Sequence, residues 1–364
     1  DEQKFIQEAF ESNWIAPTGP GISSFENDIE NYLENVNVTA LNSGTAAIHL
    51  GLVLLGVKKG DEVLVQTHTH VASVNPIIYQ GATPVFIDSE VDTWNLCPVF
   101  LEKAIIDRIS KGQKPKAIIA VHIYGVPYKI EEIRTVADKY NIPILEDCAE
   151  ALGSSYKGQK CGTFGDIGIV SFNGNKIITT SGGGALITKT KAEKEKAIFF
   201  ATQSKDPAPY YQHSEIGYNY RMSNICASIG RGQMKVLDDH VAARRAMHDF
   251  YLDLFKDVEG IIVSSVPNED YYSNYWLTTI LIDPEKTNNL DSETIRLVLQ
   301  EENIESRPLW KPMHLQPIFK NYPYYGSLVA QTLFENGLCL PSGSNLTDME
   351  RVKIKKTIFK LLQK

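Results

Sequence analysis

Between about residues 40 and 190, short runs of β-forming apolar residues alternate with stretches whose apolar residues recur every three to four positions. The runs are Val63-Leu64-Val65, Pro84-Val85-Phe86-Ile87-Asp88, Ala117-Ile118-Ile119-Ala120-Val121 and Ile142-Pro143-Ile144-Leu145. They are continuous rather than alternating, which predicts strands buried on both faces. Segments 44–56, 97–111 and 129–140 carry the helical spacing and predict crossover helices. Together the two patterns specify an α/β fold with a mainly parallel central sheet and helices on both faces. Ligands of such sheets bind beyond the carboxyl ends of the strands.

After about residue 222 the pattern changes. A long helix is predicted over 223–257, followed by a smaller α+β section: a strand near Trp276–Ile282, a helix near 291–302, a strand around Ile304–Arg307 and a closing helix near 347–362. A chain of 364 residues has room for both parts, and the division expected is 1–235 for a large domain and 236–364 for a smaller C-terminal one. The Pro- and Tyr-rich stretch Lys205–Tyr220 reads as a long ordered loop, in which Tyr210, Tyr211 and His213 suit core packing or a subunit contact.

A net charge of −8 gives no general attraction to nucleic acid or acidic lipid, so neither is expected as a partner. No apolar run approaches the roughly 20 residues that span a bilayer. The acidic start Asp1-Glu2-Gln3-Lys4 lacks the layout of a signal peptide, and the missing initial Met suits a trimmed leader. Five scattered cysteines without a CxxC pair predict a reducing, cytoplasmic setting.

Nucleotide-binding fingerprints fail: Gly19-Pro20-Gly21 is followed by Ser24 where the third glycine belongs, and there is no GxxxxGK[ST]. A dinucleotide oxidoreductase is therefore disfavoured. The stronger cluster is Glu146-Asp147-Cys148-Ala149-Glu150 at a strand end, followed by Ser171-Phe172-Asn173-Gly174-Asn175-Lys176 and Thr179-Thr180-Ser181-Gly182-Gly183-Gly184. Asp147 would emerge at the ligand edge, where a buried carboxylate needs a cationic partner. Lys176, near apolar walls, could lose its proton and act as a nucleophilic amine. The pair suits pyridoxal 5′-phosphate (PLP), with the lysine as Schiff-base residue and the aspartate on the pyridine nitrogen. A helix-capping aspartate and a solvated lysine would leave the same pattern. Asn42-Ser43-Gly44-Thr45-Ala46-Ala47 opens a helix with small residues, as a phosphate site or a plain N-cap would. His68 and His70 alternate like a metal pair on a strand face, but no third ligand stands at useful spacing, so no metal is expected.

Four ordered motifs, Asn42–Ala47, Glu146–Gly153, Ser171–Gly184 and Gly217-Tyr218-Asn219-Tyr220-Arg221, resemble the DegT/DnrJ/EryC1/StrS family of PLP-dependent nucleotide-sugar aminotransferases over nearly the whole chain. The resemblance implies the type I (aspartate aminotransferase) fold and a homodimer. It implies Lys176 as the PLP lysine and proton shuttle, Asp147 on the pyridine nitrogen, and His70 stacked on the ring. Gly44, Thr45 and Ser171 would cradle the phosphate, and Asn219 would reach it from the second subunit. Glu150 stands where many relatives carry Gln near the phenolic oxygen, and Thr180-Ser181-Gly182-Gly183 departs from the common Thr-Gly-Glu-Gly. Related proteins with His at the lysine position are dehydratases, so Lys176 favours transamination. Arg307 and His314, in Arg307-Pro308-Leu309-Trp310-Lys311-Pro312-Met313-His314, resemble the segment lining the sugar-nucleotide cleft; a structural Arg and a core His fit equally.

The wording of Asn173–Gly184 is closest to the branch that aminates C4 of UDP-4-keto-6-deoxy-N-acetylglucosamine, which includes the bacillosamine-pathway enzymes. The implied reaction moves the amino group of L-glutamate to that carbon for glycan or surface-polysaccharide synthesis. The alternatives are a GDP- or dTDP-linked 4-keto or 3-keto sugar, and a PLP-binding protein without turnover.

Overall fold

The computed structural model describes residues 1–362. Its central sheet has eight strands, from edge to edge Asn37–Leu41, Gly184–Thr188, Ile167–Ser171, Ile144–Asp147, Ala117–Val121, Glu62–Gln66, Thr83–Ile87 and Tyr324–Tyr325. The four predicted runs become four of these strands. All pairings are parallel except the two made by Gly184–Thr188. Helices Gly44–Leu54, Pro98–Ser110 and Ile130–Tyr140 are the crossovers expected. Strands Ala117–Val121 and Ile144–Asp147 are buried at every position, as a sheet covered on both faces requires. This is the α/β arrangement of the type I fold.

The strand order fixes where a ligand can sit. From Glu62–Gln66 the chain passes to Thr83–Ile87 on one side and then to Ala117–Val121 on the other. The crossovers therefore part at this strand, and a crevice opens at its carboxyl end and those of its neighbours.

The single helix expected over 223–257 is two helices, Asn224–Met234 and Leu237–Phe255, with the break at Lys235 and Val236. Asp238 and Asp239 in the first turn favour a new helix start there, because carboxylates stabilise the positive end of the helix dipole. The second helix joins two cores. Leu237 and Val241 pack with residues of the central sheet, whereas Met247, Tyr251, Leu254 and Phe255 pack under a four-stranded antiparallel sheet. That sheet contains Thr278–Ile282 and the short strand Arg307–Pro308, flanked by helices Ser292–Glu301 and Asp348–Leu362. Tyr210 and Tyr211 are exposed, so of the two roles expected for this loop, core packing is excluded.

One buried carboxylate locks the ligand edge. Strand alternation sends the Glu146 side chain away from that of Asp147. Glu146 accepts hydrogen bonds from the N–H groups of Gly162, Phe164 and Gly165 at 2.7, 2.8 and 2.7 Å and from His122 Nε2 at 2.8 Å. His122 Nδ1 accepts the Tyr128 N–H, so the ring proton lies on Nε2 and donates to the carboxylate. Glu146→Ala strands these donors in the interior. It should lower stability by about 3 kcal/mol, from the usual cost of unsatisfied buried groups; a chemical-denaturation midpoint equal to the parent's would refute this role.

Candidate active site

A cavity of about 380 Å³ lies at the carboxyl edge of the central sheet. Its wall combines the loop after Glu62–Gln66, the ends of Ala117–Val121 and Ile144–Asp147, and the turn that follows Ile167–Ser171. Gly44, Thr45, His70, Asp147, Glu150, Ser171 and Lys176 all line it. Residues 44 to 176 thus converge because parallel strands end side by side.

Asp147 is 2% exposed. Its Oδ2 accepts the Ser73 hydroxyl at 2.7 Å and its Oδ1 accepts the Ala149 N–H at 3.0 Å. Ser73 is itself oriented by Thr69 Oγ1 at 2.7 Å. The cationic partner expected for this carboxylate is absent among the described residues: its protein partners are a hydroxyl and an amide. A buried anion held this way has both oxygens fixed and still lacks a counter-charge, which a protonated heteroaromatic nitrogen supplies.

Lys176 sits in the tight turn after Phe172, where its N–H donates to the Asn173 carbonyl at 3.0 Å. The Nζ lies 3.4 Å from Glu150 Oε1 and 4.4 Å from the centroid of the Trp276 ring. Trp276 is held by its Nε1, which donates to the Asn175 carbonyl at 2.8 Å. Glu150 is fixed from its other oxygen by the Tyr124 N–H at 2.7 Å. Burial raises its carboxyl to about 7, against the opposing pull of Lys176 and of the Tyr124 amide. The amine is thus enclosed between an indole face and a carboxyl group able to change its charge near neutrality.

The end of the cavity at Gly44 is built from absent side chains. Ser43 caps the helix Gly44–Leu54, its Oγ accepting the Ala46 N–H at 3.0 Å. A Cβ at Gly44 would lie 2.9 Å from Ser171 Cβ, and one at Gly184 would lie 2.5 Å from the Gly44 nitrogen. Only glycine allows the helix start, Ser171 and the incoming strand to meet so closely. Free N–H groups of a helix start on a small-residue floor form an anion cradle. The fixed carboxylate, enclosed amine and glycine cradle fit PLP.

His70 is exposed at the cavity mouth, its ring 5.4 Å from Trp310 and its Nδ1 accepting the Ala72 N–H. His68 is instead buried, with Nε2 3.4 Å from the Tyr124 hydroxyl. Asn219 lies outside the cavity wall of its own chain; it is exposed, and its carbonyl accepts Asn42 Nδ2 at 3.1 Å at the rim. Arg307 is exposed, paired with Glu305 at 2.6 Å, and lines a second, adjoining cavity. His314 lines neither cavity: it stacks on Tyr324 at 3.9 Å and bonds Thr67 Oγ1 through Nδ1 at 2.8 Å. Ser73, Tyr124, Trp276 and Trp310 are the contributors that motif reasoning missed. They stand on short turns and loops, without periodicity to mark them.

A part-buried lysine, a strand-end carboxylate and a glycine cradle on a type I fold match a PLP-dependent enzyme. The model of the DegT/DnrJ/EryC1/StrS aminotransferase family matches residues 1–359. EpsN of Bacillus subtilis strain 168, named as a pyridoxal phosphate-dependent aminotransferase, is 49% identical over 99% of this chain and 92% of its own. A GDP-perosamine synthase of Escherichia coli O157:H7 is 38% identical over 98% of this chain and 94% of its own. The crystal structure of a DegT DnrJ EryC1 StrS aminotransferase from Brucella abortus superposes with a TM-score of 0.92 at 28% identity, covering 100% of this chain and 95% of that one. The chain belongs to the DegT/DnrJ/EryC1/StrS aminotransferase family. It is a PLP-dependent aminotransferase.

Two substitutions test the site as built. Gly44→Val should lose the cofactor's absorbance band after dialysis while the far-UV spectrum is kept, because its side chain occupies the cradle; a retained band would count against the cradle. Ser73→Ala leaves Asp147 with one fewer donor and should weaken PLP retention by roughly tenfold, the equivalent of about 1.4 kcal/mol, as measured by cofactor titration of the apo-protein; unaltered retention would remove Ser73 from the site.

Proposed function

We propose that the enzyme moves the amino group of L-glutamate to C4 of a 4-keto-6-deoxy nucleotide sugar, with 2-oxoglutarate leaving. The observation that carries this is the single cavity in which Lys176 Nζ and the fixed Asp147 carboxylate face the glycine cradle. Bound PLP supplies an electrophilic aldehyde and an electron-withdrawing ring. Asp147 would hold the proton on the ring nitrogen, and Lys176 Nζ would take and return the proton at the reacting carbon in both halves of the reaction. Glu150 Oε1 faces that amine and would exchange a proton with it. Trp276 and Trp310 would keep water from the amine, and His70 would cover the open face of the ring.

Residues 1–235 would carry the cofactor and 236–364 roof the substrate entrance. The exposed Asn219 at the rim supports a homodimer in which this residue completes the neighbouring subunit's phosphate site. Arg307 would contact the nucleotide sugar; His314 would act from behind the wall, through Thr67. Five free cysteines, four of them buried, suit a reducing cytoplasm.

The run Asn173–Gly184 supports a UDP-linked 2-acetamido sugar as acceptor and a product used for glycan or surface polysaccharide. The 38% identity to a GDP-perosamine synthase supports a GDP-linked acceptor as a second reading. Purified holoenzyme, glutamate and a panel of UDP-, GDP- and dTDP-linked keto sugars, read by mass spectrometry, should yield one preferred aminated product. Equal indifference to every sugar would remove the acceptor claim.

Lys176→Ala should abolish steady-state turnover, and surviving turnover would contradict the shuttle. Glu150→Gln should remove an inflection near pH 7 from the absorbance titration of the holoenzyme, since the raised carboxyl is neutral below that pH and charged above it. An unchanged titration curve would exclude the proposed proton exchange.

A further inference from the structure

A second cavity, of about 870 Å³, adjoins the first and shares His70, Asn175, Trp276 and Trp310 with it. Its lining also includes Arg244, Ser306, Arg307, Glu350 and Lys353. The Arg307 guanidinium is neutralised by Glu305 at 2.6 Å. Glu350 accepts the N–H and hydroxyl of Thr347 at 2.7 and 2.8 Å, and Lys353 donates to the Glu302 carbonyl.

Arg244 differs from these. It projects from the helix Leu237–Phe255 and is only 8% exposed, yet no carboxylate pairs with it among the described residues. One terminal nitrogen donates to the Trp276 carbonyl, and its Nε is buried without a partner. Ser306 Oγ, on the same cavity, is also buried and unpartnered. Burying a guanidinium with neither counter-ion nor full hydrogen bonding is costly, and burial alone pushes its pKa down to about 10. Polar groups left in this state beside a large cavity match a ligand that brings the missing charge and acceptors.

We propose that the second cavity is an oxyanion subsite, in which Arg244 and Ser306 hold a carboxylate or phosphate group of a substrate whose reacting atom lies at Lys176. The inference rests on the aminotransferase reading and adds to it the place where the substrate's charge is recognised. A guanidinium suits the task because its planar fork matches either oxyanion in two parallel hydrogen bonds. Arg244 also holds the Trp276 backbone, and the Trp276 indole lies 4.4 Å from Lys176 Nζ, so the charge-binding and reacting ends share one rigid wall. Both the dicarboxylate donor and the diphosphate of a nucleotide sugar carry the required chemistry.

The test is isothermal titration of the holoenzyme with 2-oxoglutarate and, separately, with inorganic pyrophosphate, in the parent, Arg244→Lys and Ser306→Asp. Arg244→Lys breaks the fork, and Ser306→Asp adds a fixed negative charge to the same cavity without touching Trp276. Each should weaken at least one probe tenfold or more while the cofactor band and melting temperature are kept. Loss for 2-oxoglutarate assigns the donor carboxylate, and loss for pyrophosphate assigns the diphosphate. Unchanged affinity for both probes in Ser306→Asp and in any folded Arg244 variant would overturn the subsite. Bleaching of the cofactor band by glutamate reports the aminotransferase reading separately, so a holoenzyme that bleaches but shows no change in anion affinity defeats this inference alone.

Discussion

The site is organised by a negative charge that the protein buries and does not neutralise. Asp147 is fixed by Ser73 and by the Ala149 amide, so its position is determined before any ligand arrives. Such a carboxylate, with only two donors, favours a hydrogen-bonded cation beside it. A pyridinium nitrogen would be such a cation, and holding its proton would make the ring an electron acceptor. The nearest lysine in the cavity is instead directed to Glu150 and the Trp276 face, which leaves its amine available for chemistry.

The fold explains why this constellation can exist. Asp147 ends a central parallel strand, so backbone pairing with Ala117–Val121 and Ile167–Ser171 on either side fixes it. Glu146, one residue earlier, ties the opposite face to the 162–165 loop and to His122. Adjacent carboxylates on one strand therefore divide the work: one stiffens the framework and the other faces the cavity. The helix start at Gly44 then abuts Ser171 and Gly184 with no room for a side chain. This sets the glycine cradle and Asp147 at a fixed separation, as the two ends of one cofactor would require.

Much of this could be read from the residues. Continuous apolar runs gave the central strands, because burial on both faces leaves no alternation, and the strand-end rule then put Asp147 at the ligand edge. Lys176 and the glycines were found through motif resemblance, and for Gly44 and Gly184 the structure supplies the reason in close backbone approach. The break at Lys235–Val236 was missed because helical spacing runs on across it. The edge strand Tyr324–Tyr325 was missed because two residues carry no period. Arg244 was invisible as a site residue, since a sequence shows an arginine but not the lack of a carboxylate beside it.

The most direct measurement is borohydride reduction of the holoenzyme followed by peptide mass mapping. The account predicts that the phosphopyridoxyl mass is found on the peptide containing Lys176 and that Asp147→Ala diminishes the parent absorbance band. Labelling of a different lysine, or a fully bound cofactor that leaves Lys176 unmodified, would contradict it.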